Sequence, residues 1–122
     1  QLGLLSGPVE EFQKSAEAEH NAMLSMLVDE GYLDASALED ELANENEIID
    51  ALYRGLKGSP CKLMAASIVD AVGEKRTQNQ PGTSNEYPNW RIPLADGDGN
   101  VVPLEQLFDN TRLQEIAAIM RG

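Results

Sequence analysis

The residues between Gln78 and Arg91 read Gln-Asn-Gln-Pro-Gly-Thr-Ser-Asn-Glu-Tyr-Pro-Asn-Trp-Arg, and their side chains suit a carbohydrate. The amides of Gln78, Asn79 and Asn89 donate and accept hydrogen bonds at once, which matches the double character of sugar hydroxyls. Tyr87 and Trp90 offer flat apolar faces for the C–H side of a sugar ring. The Arg91 guanidinium can bind two oxygens together. Trp90 is the sole tryptophan of the chain. A flexible linker of Ser, Gly and charge has no use for aromatics. The same residue types also fit a second reading, in which Tyr87 and Trp90 pin a long loop to the core and the amides cap it.

Other groups that could do chemistry read as structural. Asp96, Asp98 and Asn100 imitate the start of a calcium loop. However, Val101 stands where a turning glycine is needed and Leu107 where a bidentate glutamate is needed, so a hairpin turn is expected. His20, the only histidine, lies between Glu19 and Asn21 on a charged helix and reads as a solvated surface residue. Cys61 follows Pro60 with no histidine nearby, which predicts a buried, inert thiol. The acidic runs Glu10-Glu11, Asp29-Glu30 and Glu39-Asp40-Glu41 fall on helix faces as solvated charge. None lies at a strand end beside an apolar pocket, as a general acid of raised pKa requires. No catalytic residue, metal site or cofactor is therefore predicted.

The elements that must position these residues are mostly helical. Pro8, Glu10 and Glu11 mark a helix start, Val9, Phe12, Ala16, Met23, Met26 and Leu27 follow at helical spacing, and Gly31 stops the run. Asp34 caps a short helix through Leu42. Asn44 or Asn46 caps a third helix with Ile48, Ile49, Leu52 and Leu56 on its buried face, ended by Gly58 and Pro60. Leu63-Met64-Ala65-Ala66 reads as one buried strand, followed by a helical turn from Ser67 to Val72. Residues 73–89 show no periodicity. Arg91–Leu94 and Val101–Val102 flank Asp96–Asn100 as a small hairpin. Leu104–Phe108 is a short helix, and Asp109 or Asn110 caps a last one carrying Leu113, Ile116, Ala117 and Met120. A lone strand cannot satisfy its own ladder, so it is expected to pair with a second copy or to lack order.

The chain has 122 residues, a net charge of −12 and a pI near 4.3. That length supports one core at most. The acidity argues against nucleic acid and against anionic membrane surfaces, both of which need a basic footprint. A single cysteine excludes an internal disulfide and fits a reducing, cytoplasmic compartment. No apolar run reaches spanning length, and no basic-then-apolar leader opens the chain. The start on Gln rather than Met reads as a piece of a longer polypeptide.

The run from Asn79 through Pro81-Gly82-Thr83 to Glu86-Tyr87-Pro88-Asn89-Trp90-Arg91 resembles the C-terminal region of bacterial 4-α-glucanotransferases, also called amylomaltases or disproportionating enzymes. The likeness is specific over residues 79–91 and looser before Gly58. It implies a transferase of carbohydrate metabolism built on a (β/α)8 TIM barrel. Residues 1–58 would be the helical segment before the last barrel strand, and residues 59–122 that strand, a loop bordering the active site, a hairpin and a C-terminal helix. Such glycosyltransferases move α-1,4-glucan segments between maltooligosaccharides with retention, using a nucleophilic aspartate, an acid–base glutamate and a second aspartate. The resemblance places all three upstream of Gln1, so the chain alone is expected to be inactive. It makes Asn79 a sugar contact, with Gln78, Trp90 and Arg91 as further substrate-binding candidates. Two other readings stay open: a stand-alone carbohydrate-binding module, or an acidic helical domain that binds a basic protein.

Overall fold

The computed structural model describes residues 8–122. Two compact units arise among them, one of 8–65 with Ile119–Gly122 and one of Ala66–Ala118. All regular elements of the described residues are helical: α1 (Val9–Asp29), a 3-10 turn (Ala35–Leu38), α2 (Glu45–Gly58), α3 (Ile68–Val72), α4 (Leu104–Phe108) and α5 (Thr111–Arg121). No helix among them is long and apolar enough to cross a membrane.

In the first unit, α1 begins after Pro8 with Glu10 and Glu11 at its positive dipole end. It ends in a Schellman arrangement: Gly31 takes φ +76°, its N–H reaches Val28 O, and the Tyr32 N–H reaches Leu27 O. The reversal brings Leu33 and Ala37 back onto Leu24 and Leu27, and α2 adds Ile48 and Ala51 to this core. Tyr53 is also buried, while Leu56 is exposed. The buried face of α2 is thus rotated from the expected stripe. Small Ala51 and Gly55 let α1 and Tyr32 approach closely, and the larger Ile49 and Leu52 stand only partly covered.

The helix expected from Asp34 to Leu42 is a single 3-10 turn. Asp34 caps it as anticipated, accepting from Ser36 N at 2.9 Å. Beyond Leu38, side chains take over the backbone. Asp40 accepts from Ala43 N, and the Asn44 amide donates to Ala37 O and Asp40 O, which ends the helical ladder. Asn44 precedes α2 at the N-cap position, yet its side chain makes no capping bond there.

The strand expected at Leu63–Ala66 is absent. Leu63 is 93% exposed, and the described residues contain one isolated bridge, Ala95 to Val101, and no strand. The apolar run has no ladder partner among the described residues, and a strand without one leaves its backbone groups unpaired. Self-association through that strand loses its basis. Cys61 is exposed, not buried, since the unpaired stretch it opens, with Lys62 and Leu63, is itself exposed.

In the second unit, α3, α4 and α5 contribute Ala71, Val72, Leu107 and Ile116 to the buried set, and the Asp96–Asn100 turn contributes Ala95 at its base. Asn110 caps α5 by accepting from Leu113 N at 2.8 Å. Asp96 closes the hairpin turn, with its carboxylate accepting from the main chain of Asp98 and Asn100 and from the Asn100 amide. The Asn100 bonds hold the Asp96 pKa below its ordinary value.

Candidate functional site

The long irregular segment after α3 is a stitched loop with three tiers. At its head, Pro81 and Gly82 occupy the centre of a turn closed by Thr83 N donating to Gln80 O at 3.2 Å. Gly82 takes φ +80°, which the third position of this turn requires. Asn89 holds the head from the other side. Its Oδ1 accepts from Gln80 N at 2.6 Å, and its Nδ2 donates to Thr83 O and Thr83 Oγ1 at 3.2 and 3.0 Å. Both faces of the Asn89 amide are therefore committed to the loop and unavailable to a ligand.

At the waist, Trp90 N donates to Gln78 O at 2.8 Å, and the Tyr87 hydroxyl donates to Thr77 O at 2.6 Å. Tyr87 is thus a pin, half-buried, but it ties the loop to its own backbone at Thr77 and not to the core as one reading of the sequence anticipated. Trp90 does the opposite. It is 76% exposed and sits at φ +58°, the only non-glycine residue of positive φ among those described. A bulky side chain in this region costs on the order of 1–2 kcal/mol, so the waist and head bonds must hold it there. Arg91 follows, exposed, with its N–H on Pro88 O at 3.0 Å.

At the neck, Glu74 and Arg76 face Pro93 and Ala95. The Glu74 carboxylate accepts from Arg76 N, Arg76 Nε and Arg76 Nη2 at 2.9, 2.9 and 2.6 Å, and from Ala95 N at 3.0 Å. Arg76 Nη2 also donates to Pro93 O at 2.8 Å. The arginine contacts hold the Glu74 carboxyl well below the usual range, at about 2. Nothing in the local sequence signals this pair. Glu-x-Arg spacing is common, and its partners lie far along the chain.

The waist brings Gln78, Asn79 and Trp90 into one stretch of surface. Gln78 and Asn79 are half-buried and use their backbone carbonyls to tie the loop, Asn79 O accepting from Thr77 Oγ1 at 2.7 Å. Their side-chain amides make no hydrogen bond among the described residues. The loop therefore presents two uncommitted amides and one aromatic face on a pinned backbone. In the first unit, a groove of about 410 Å³ opens along Leu27, Tyr32, Leu52 and Leu56. Its lining is mostly apolar, with Glu30 and Ser59 as polar members, and offers few groups to a hydroxyl-rich ligand. His20, on α1, bonds Glu41 at 2.7 Å on the surface, as befits a solvated residue.

The sequence model described as 4-alpha-glucanotransferase matches residues 7–98, which include the whole loop. The chain belongs to the 4-alpha-glucanotransferase family. Proteins named 4-alpha-glucanotransferase from Mycobacterium bovis and Mycobacterium tuberculosis are each 44% identical to it over 121 residues. Another of that name, from Haemophilus influenzae, is 29% identical over 117 residues. These alignments cover 99% and 93% of this chain and 16% of each relative, so the chain spans a small part of the length of the glucanotransferases it matches. No solved structure matches it.

Proposed function

We propose that the chain is the C-terminal region of a 4-alpha-glucanotransferase and that the loop from Thr77 to Arg91 meets its α-1,4-glucan substrate. In this reading residues 1–58 precede the segment that takes the place of the last strand in the parent's (β/α)8 barrel, and residues 59–122 carry that segment, unpaired in this chain by itself, with the loop, the hairpin turn and the final helix. The parent enzyme transfers glucan segments between maltooligosaccharides with retention. Its catalytic carboxylates lie outside this chain. The exposed thiol of Cys61, free of any disulfide, fits a cytoplasmic enzyme.

The observation that carries the proposal is the Trp90 N–H bond to Gln78 O, which sets an exposed indole on a strained backbone beside two uncommitted amides. Strain at an exposed aromatic has no use in packing. It is explained if the indole stacks on a sugar ring while Asn79 and Gln78 bond its hydroxyls, with Arg91 as a further contact.

Maltotriose disproportionation by the parent enzyme and its variants tests this. A neutral hydrogen bond contributes on the order of 1 kcal/mol and more in a dry site. Asn79→Ala is therefore expected to lower kcat/KM roughly five- to thirty-fold, with the melting temperature unchanged. Asn89→Ala removes the bonds of the loop head and is expected to lower melting temperature and activity together. The isolated chain is expected to release no glucose from maltotriose. Unchanged kinetics in both Asn79→Ala and Trp90→Ala would remove the loop from the substrate site.

A further inference from the structure

We propose that Glu74 and Arg76 form a positioning clamp that sets the glucan-facing loop, acting on substrate binding through Trp90 without touching substrate themselves. The inference rests on the function proposed above and assigns a role to two residues outside the Asn79–Arg91 run.

Among the described residues, no backbone–backbone hydrogen bond joins 73–76 to 93–96. The hydrogen bonds that close the neck come from side chains, beside a close backbone approach of Gly73 to Gly97. Glu74 reaches across to Ala95 N, and Arg76 reaches across to Pro93 O. Between them runs a two-pronged ion pair, Nε on one carboxylate oxygen and Nη2 on the other. Exposed ion pairs contribute little, but this carboxylate is only 2% exposed and has four N–H partners. Charge-assisted, forked bonds of this kind fix direction as well as distance.

The Glu74 carboxylate is covered, and Nε and Nη2 of Arg76 are spent on Glu74 and Pro93, which leaves Nη1 on a side chain that is 44% exposed. What the clamp can do is hold the spacing of the loop's two limbs. One limb carries Gln78 and the other Trp90, and their bond keeps the indole at positive φ. If the neck opens, that bond lengthens and Trp90 relaxes toward an ordinary backbone conformation. The indole then turns from the amides of Gln78 and Asn79. The neighbours in sequence are not equivalent to the clamp: Lys75, between its two members, makes no hydrogen bond or ion pair to any described residue.

The test is steady-state maltotriose kinetics with melting temperatures, in the parent enzyme. The variants are Glu74→Gln, Arg76→Lys, Trp90→Ala and the double variant Glu74→Gln with Trp90→Ala. Glu74→Gln removes the charge at constant shape, and Arg76→Lys keeps the charge but loses the fork. Each is expected to raise KM roughly three- to tenfold with a smaller change in kcat. In the Trp90→Ala background, Glu74→Gln is expected to add little, because both act through the same contact. Should Glu74→Gln fail to fold, Arg76→Lys, alone and with Trp90→Ala, decides by the same readings. Unchanged KM, with activity lost only in step with the folded fraction, would make the pair a purely structural brace and overturn the inference. So would full additivity with Trp90→Ala. If Trp90→Ala alone shifts KM and the clamp variants do not, the clamp fails and the proposed function stands. If the wild-type parent is inactive on maltotriose, both fall.

Discussion

Single side chains decide the loop, and Asn89 and Glu74 show how. Asn89 was one of three amides whose chemistry suits a sugar, yet its bonds to Gln80 and Thr83 leave it no free valence. Residue type could not separate it from Asn79, because an amide that caps a turn and an amide that binds a ligand are the same group. Glu74 has a measurable consequence. Its carboxyl is held at about 2, against an ordinary value of 4.5, first by the Arg76 side chain and then by the Arg76 N–H. A depressed folded-state pKa stabilises the clamp fully above the ordinary value, and that stabilisation is lost as pH falls through the folded one. The loop is therefore expected to loosen between about pH 4.5 and about pH 2. Glu86 and Asp96, also depressed, contribute in the same direction. Trp90, the only tryptophan, reports the change directly. Acid titration of its fluorescence should show a transition that flattens in Glu74→Gln. A curve identical in wild type and variant would mean that Glu74 does not govern the loop.

At the scale of elements, helix ends follow local chemistry and faces follow packing. Gly31, Gly58 and Asn110 end or start helices where the sequence places them. The orientation of α2 was less legible, because Ile48 and Ala51 pack on Leu24, Leu27, Leu33 and Ala37 while Tyr32, after the end of α1, meets the glycines Gly55 and Gly58. A Cβ on Gly58 would collide with the Tyr32 hydroxyl and lie 3.1 Å from Cζ. Two effects oppose each other in Gly58→Ala. Replacing a helical glycine gains about 0.5–1 kcal/mol, while overpacking costs about 1–3 kcal/mol. The overlap is with a half-buried ring, so the cost should prevail and urea denaturation should show a net loss of about 1 kcal/mol. With Tyr32→Phe the hydroxyl is gone and the 3.1 Å approach to Cζ remains, so adding Gly58→Ala should cost less than it does in the wild type. Equal losses in both backgrounds would show that Tyr32 does not set the fit.

Across the whole molecule, stability is unevenly distributed. In α1, every residue from Val9 to Ala22 is exposed, and the buried side chains are Leu24 and Leu27. An isolated helical stretch of this length is marginal in water, so its order depends on the packed end. Amide exchange of the 122-residue chain should be fast before Ala22 and slow from Leu24 to Val28 and in the middle of α2. Uniform protection along α1 would show that the helix is held by something other than this core. The acidic surface, net −12, is shared between helix faces and turns, with Glu39, Asp40 and Glu41 outside any helix and not on the helix face expected for them, and His20 bonds to Glu41 there.

By itself the sequence determined the helices other than the one expected through Leu42, the caps at Asp34 and Asn110, the hairpin turn at Asp96 and the family motif from Asn79 to Arg91. Those features depend on bonds between residues close in the chain, or on a pattern of residue types, and both can be read without coordinates. The tertiary structure decided the rest. It left Leu63–Ala66 unpaired, because a strand needs a partner that residue types cannot supply. It turned Trp90 outward and Asn89 inward, although both lie in the same short motif. It joined Glu74 and Arg76 to Pro93 and Ala95, because closing a long loop brings together groups whose separation along the chain hides their contact.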